Sequence, residues 1–190
     1  MKLVPTASQT VGPYFHLGLT DPRSVGSITG PGAKGEKVTL VCTVLDGDGV
    51  RVPDAMIEIW QADADGKYDH PEDTQERALD PACKGFGRLG TDAQGIVEFR
   101  TIKPGRVPAP NHGLQAPHLM ASIFARGLLK RLTTRIYFAG DPANEEDFVL
   151  SLVPKERRDT LLAKPDSSRP GLWRFAVHLQ GEHETVFFDV

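Results

Sequence analysis

The segment 131-RLTTRIYF-138 alternates with a period of two: Leu132, Ile136 and Phe138 fall on one side, Arg131, Thr133, Arg135 and Tyr137 on the other. Only an extended chain sorts those residues into an apolar and a polar face. Similar short runs recur at 37-KVTLVCTV-44, 55-AMIEIWQAD-63, 96-IVEFRTI-102 and 118-HLMASIFA-125. The 19 Gly and 15 Pro are scattered among them rather than pooled in one linker. Turn formers at that spacing cut helices short and suit brief strands joined by turns.

The runs predict an all-β fold, an antiparallel β-sandwich. Residues 37–44 and 55–63 are expected to pair as antiparallel neighbours across the turn-rich 45-LDGDGVRVPD-54. The segments 172-LWRFAVHLQ-180 and 184-ETVFFDV-190 are expected to close a hairpin around Gly181. One short helix is predicted over 152-LVPKERRDTLLAK-164, with Pro154 near its first turn and Leu161 and Leu162 on its buried side. Residues 1–35 carry Thr, Ser, Pro and Gly with little periodicity, so they read as an extended N-terminal arm laid on another surface. Residues 36–190 then form the sandwich domain. No internal repeat or low-complexity tract interrupts it.

Length supports this division, since 190 residues suffice for one well-cored domain. With 39% hydrophobic and 25% charged residues the chain is neither disordered nor membrane-embedded in type. A net charge of -3 gives no electrostatic attraction to nucleic acid or to an anionic membrane. No apolar run approaches the roughly 18 residues that span a bilayer, and the start, MKLVPTASQTVGPYF, lacks the apolar core of a signal peptide. A cytoplasmic location is expected, with Cys42 and Cys83 as separate reduced thiols.

Several chemistries are excluded by spacing. The acidic run 63-DADGKYDHPED-73 has its glycine at the fourth position, not the sixth that an EF-hand needs, and reads as a solvated turn. There is no G-x-S-x-G, no phosphate-binding loop and no H-E-x-x-H. The six histidines are scattered. His118 and Met120, two apart on one strand, would point to the same face, half of what a rigid His-x-His metal site requires. The long loops 64–90 and 104–117 flank this strand, and loops of that length inside a compact domain are usually functional.

The phrases 6-TASQTVGPYFHLGL-19, 58-EIWQADADGKYDH-70, 85-GFGRLGTDAQGIVEFRTIKPG-105, 116-APHLMASIFARG-127, 131-RLTTRIYFAGD-141 and 182-EHETVFFDV-190 spread over nearly the whole chain. In these the sequence resembles the intradiol ring-cleaving dioxygenases, and within them the alpha chains of the two-subunit members that cleave protocatechuate. The family holds Fe(III) with two tyrosines and two histidines. By this resemblance the four positions are Tyr68, Val107, His118 and Met120, so two donors are present and two are lost. Valine has no lone pair, and a thioether is a soft, poor ligand for hard ferric iron.

The resemblance therefore implies that this chain binds no metal and contributes no catalytic residue. Fe(III) would be held by a partner beta chain, and the pair would insert both atoms of O₂ into protocatechuate to give 3-carboxy-cis,cis-muconate. It also implies that the arm walls the partner's substrate pocket through Thr10, Gly12, Pro13 and Tyr14. Gly12 would permit close approach, Pro13 an apolar wall, and Tyr14 an aromatic face. Arg135 is expected near the substrate, where its guanidinium could neutralise a carboxylate. The alternative is a β-sandwich binding module of the same family with no catalytic role.

Overall fold

The computed structural model describes residues 4–12, 14–20, 24–109 and 113–189. Ten strands follow a six-residue helix: α1 (Tyr14–Leu19), β1 (Lys37–Leu45), β2 (Met56–Trp60), β3 (Phe86–Gly90), β4 (Ile96–Ile102), β5 (Val107–Pro108), β6 (Leu114–Gln115), β7 (His118–Phe124), β8 (Leu132–Phe138), β9 (Leu162–Pro165) and β10 (Leu172–His178). Eight of them hydrogen-bond in the order β3-β2-β7-β8-β9-β10-β1-β4, while β5 and β6 form a small ribbon.

Four-residue β9 is the seam. It pairs parallel with the end of β8 through Tyr137 and Phe138, and antiparallel with β10 through Trp173 and Arg174. Either side of it, β3-β2-β7-β8 and β10-β1-β4 pack face to face as a sandwich. Their inner faces are the alternating residues expected of half-buried strands. Leu40, Cys42 and Val44 of β1 meet Ile57 and Ile59 of β2 and Leu119, Ala121 and Ile123 of β7 in one buried core.

The mostly-β fold stands, with three corrections to the expected pairings. The large sheet is mixed, because β1 runs parallel to β10 and β8 parallel to β9. β1 and β2 are not hairpin partners; β1 pairs with β4 and β10, and β2 with β3 and β7. Asp46 accepts the Asp48 and Val50 amides and tightens the connection, after which the chain crosses to the opposite half. Both runs bury their apolar face in the same core from opposite sides, which a hairpin within one sheet cannot do.

The tail likewise makes no hairpin with β10. It leaves after Thr185 and crosses to β8, where the Phe188 amide donates to the Thr133 carbonyl.

The expected helix over 152–164 is replaced by a 3-10 segment, Lys155–Leu161, that hands over to β9. Leu162 and Ala163 gain sheet hydrogen bonds to β8 there, and these outweigh the local helical preference. Further 3-10 turns at Pro142–Glu146 and a short helix α2 (Phe148–Ser151) lie just before it, capped by Asp141 and Asp147. They cover the expected polar face of β8. Tyr137 is fully buried in a second, smaller core with Ala116, Leu150, Val153 and Leu161, and Val186 and Phe188 of the tail pack against it.

Within the arm, residues 24–33 are joined to their own sandwich. Val25 bridges to Arg88, Ser27 to Arg100 and Thr29 to Cys83, and Ile28 is 1% exposed in the main core. Cys42 and Cys83 are free and buried; burial pushes their thiols up to about 12 and about 11. Neither is a nucleophile at neutral pH.

Candidate functional site

Two loops converge on the His118 end of β7, an inner strand paired with β2 and β8. The first, after β2, is organised by Asp63, which is 1% exposed and accepts the amides of Asp65, Lys67 and Asp80. It is thus a buried loop organiser and not the solvated turn expected from its composition. Gly66 sits at φ +81, and a Cβ there would lie 2.0 Å from the Arg106 carbonyl oxygen. The close approach locks this loop onto the 104–108 segment, so that Tyr68 on one loop shares a cavity with Val107 on the other.

The resulting cavity has a volume of about 490 Å³ and is lined by Trp60, Tyr68, Val107, Gln115, His118, Met120 and Arg135, among others. Met120 lies directly across the β7–β8 pair from Arg135, and His118 across from Tyr137. Trp60 stacks on Tyr68, with ring centroids 6.0 Å apart and planes 9° from parallel. The Tyr68 amide donates to Asp73, whose carboxylate is held by the Gln75 amide and side chain and by nearby Lys67.

A hydrogen-bonded relay forms the floor. Arg135 Nη1 donates to Gln115 Oε1 at 2.6 Å and to the Tyr137 hydroxyl at 3.3 Å. Tyr137 in turn donates to Asp147 at 3.1 Å, and the Gln115 amide donates to the Pro108 carbonyl. Asp147 also accepts the Ala116 and Leu150 amides at 2.7 Å each. One buried carboxylate therefore orients the α2 cap, the start of β7 and the arginine above it. Gln115 and Asp147 escaped the sequence reading; the only signal was an Asp directly before the Phe-Val-Leu run, where an N-cap is favoured.

His118 is buried, and its Nδ1 lies 2.7 Å from the Ala116 carbonyl oxygen. A carbonyl can only accept, so Nδ1 carries the proton and Nε2 is left with its lone pair. Burial, with the Arg135 charge adding to it, drops the imidazole to about 4, so it is neutral at pH 7. Burial pushes the Tyr68 phenol up despite the opposing pull of Arg135.

These residues do not fit the ferric ion of the family. Val107 is buried and supplies no donor, Met120 offers only a soft sulfur, and the Arg135 charge acts on both remaining donors and opposes a cation. Among the described residues no group of three or more His, Cys, Asp or Glu is arranged to hold a metal ion.

The arm residues lie elsewhere. Thr10 Oγ1 accepts the Gly127 amide at 2.8 Å, and Phe15 packs 6.0 Å from the Phe124 ring. Both contacts sit at the end of β7 away from His118. Tyr14 is 81% exposed, Gly12 has no neighbour within 4 Å of a Cβ position, and Pro13 lies outside the described residues. The structure thus brings Arg135 together with Tyr68 and His118, and brings neither Thr10, Gly12 nor Tyr14 to that pocket. Arg126, next in sequence to Gly127 of the Thr10 tether, is exposed and ion-paired with Asp54.

Residues 11–181 match the family described as Dioxygenase. The protocatechuate 3,4-dioxygenase alpha chain of Burkholderia cepacia is 45% identical over 99% of this chain and 98% of its own. The beta chain from the same organism is 39% identical over 80% of this chain and 67% of its own. Among solved structures, the dioxygenase domain of a dioxygenase–carbohydrate-binding protein fusion from Streptomyces sp. SirexAA-E superposes with a TM-score of 0.63 at 28% identity, covering 94% and 99% of the two chains. A mostly-β sandwich with a pocket where two loops meet the His118 end of β7 is the frame of a ring-cleaving dioxygenase. The chain belongs to the intradiol dioxygenase family.

Proposed function

We propose that this chain is the alpha subunit of a protocatechuate 3,4-dioxygenase, carrying no iron itself and completing the substrate pocket of an iron-bearing beta subunit. The observation that carries the reading is the pocket: its frame is intact, while Val107 and Met120 stand where donors are needed and Arg135 adds a positive charge. A whole-length likeness to one alpha chain, beside a weaker likeness to the beta chain of the same organism, supports a two-subunit enzyme. The Fe(III) then belongs to the beta subunit, and the substrates are protocatechuate and O₂. A cytoplasmic location goes with this reading; no helix among the described residues is long and apolar enough to cross a membrane.

In this role the segment Thr10, Gly12, Pro13 and Tyr14 walls the partner's pocket. An 81% exposed tyrosine on a six-residue helix gains little by staying in water, and covering a neighbour's cavity gives it apolar contact. The arm's own subunit anchors it through Thr10 and Phe15, and Arg126 beside that anchor supplies a cation suited to a carboxylate substrate. Arg135, expected from sequence near the substrate, lines this chain's own pocket.

The deciding experiment purifies this chain alone and together with a co-expressed beta chain, and measures iron and ring cleavage in each. The lone chain should hold little iron and turn over no protocatechuate, while the pair should be coloured and active. Stoichiometric ferric iron in the lone chain would overturn the assignment.

A further inference from the structure

The pocket that no longer suits iron has not filled in or collapsed. It keeps about 490 Å³ of space; its lining carries one guanidinium, Arg135, and two carboxylates, Asp73 and the exposed Glu72, both on the 64–90 loop. Arg135 makes no ion pair with any carboxylate among the described residues; its Nη1 contacts are the neutral Gln115 and Tyr137. Asp147, the carboxylate this hydrogen-bond network reaches, stands behind Tyr137 and is already bonded to two amides and the phenol. Asp73, which also lines the cavity, is occupied by two amides, the Gln75 side chain and Lys67. A guanidinium at a cavity wall without a carboxylate partner is a site for an anion.

The remaining walls select the rest of the ligand. Trp60, Val107, Pro108 and Met120 supply flat and apolar surface. His118 holds its Nε2 lone pair and makes no hydrogen bond there among the described residues. It lies diagonally across the β7–β8 pair from Arg135, a separation of roughly 7–8 Å between backbones. An acceptor and a cation set apart by apolar surface match a ring with an acidic group at one end and a hydroxyl at the other.

We propose that this chain's own pocket is a metal-free binding site for a hydroxylated aromatic carboxylate, with the carboxylate on Arg135, the ring against Trp60 and Met120, and the hydroxyl donating to His118 Nε2. The loss of two metal donors is then also a gain of function. Met120 gives the ring a polarisable contact, and Val107 removes a phenol that would compete for Arg135. The site rests on this chain's side chains and does not depend on the subunit assignment.

Equilibrium dialysis with radiolabelled 4-hydroxybenzoate tests it, on the complex with the iron-bearing partner or, if no complex forms, on the full chain alone. Ligand at the iron shifts the visible spectrum of the ferric centre; ligand on Arg135 does not. The expected result is two sites per pair, one spectrally silent, and one silent site on the lone chain. Arg135→Gln should weaken the silent site about tenfold or more, as loss of a charge-assisted pair does. Met120→Trp, which fills the cavity from β7 and leaves the bonds of Arg135 in place, should abolish it. The proposal is overturned by a single site per pair that is fully visible in the spectrum, or by a silent site that survives both substitutions. Displacement by sulfate with the same affinity as 4-hydroxybenzoate would reduce it to a plain anion site and overturn the aromatic part.

Discussion

At the His118 end of β7, polar groups are buried and bonded to one another; at the Phe124 end, the chain presents exposed groups held by one long-range tether. At the first end Asp147, Tyr137, Arg135 and Gln115 are bonded to one another in sequence, and what is left over, the Arg135 charge, faces this chain's own pocket. The second has Thr10 on Gly127, Phe15 near Phe124, and little else among the described residues. A site that serves its own chain can be finished internally, while one that serves a neighbour must leave its groups unfinished until the neighbour arrives. The two ends should therefore respond to mutation in opposite ways: stability changes at one, assembly and turnover at the other.

The largest effect is expected at the arm. Removing residues 1–12 should lower ring cleavage by the co-expressed pair by about 100-fold or more, because a wall displaced by an ångström already costs that much. The thermal unfolding of the sandwich should barely move, since the described residues 4–12 are almost all exposed. A large drop in melting temperature would break the distinction between the two ends.

At the other end, V107Y/M120H restores the two missing donor types and should raise iron content from a trace toward one per chain, read by metal analysis. Adding R135Q should tighten the metal by about another tenfold, by removing a repelling charge in a poorly screened site. If the triple variant binds no better than the double, Arg135 is not what opposes the cation.

Asp147→Ala should cost about 3 kcal/mol in urea unfolding, because it leaves two buried amides and the Tyr137 hydroxyl without their acceptor. His118 gives a comparable but pH-dependent effect. Unfolded, it titrates near 6.5; folded, near about 4. Above pH 6.5 it is neutral in both states and contributes nothing. As pH falls from 6.5 to 4 the unfolded chain takes up a proton that the folded one refuses, so stability drops, by about 3 kcal/mol in all. Unfolding curves of the wild type and His118→Gln should diverge across that window, and parallel curves would refute it.

The smallest change is expected away from both ends. Breaking the exposed Lys164–Asp159 pair with K164Q should alter stability by less than about 1 kcal/mol. It serves as the baseline for the others.

Much of this was legible in the chain. Period-two runs such as 131-RLTTRIYF-138 identify strands because alternate side chains must face opposite sides, whatever the strands pair with. Once the family resemblance marks the four ligand positions, the loss of two metal donors is equally plain, since valine has no lone pair in any fold. Strand partners were not legible: β1 and β2 both bury apolar residues, and only the packed core reveals that they do so from opposite sheets. The helix expected at 152–164 failed because the β8 edge needed partners, a demand set by residues some twenty positions away.

The destination of each polar group also had to wait for tertiary structure. Nothing local distinguishes Asp63 as a buried loop organiser from a solvated aspartate, or Arg135 facing its own pocket from an arginine facing a neighbour's. Residue type and spacing determined most of the strands, and the family resemblance showed which donors are missing. Which groups meet, and hence which charge is left without a partner, was decided only when loops and strands far apart in the chain were packed together.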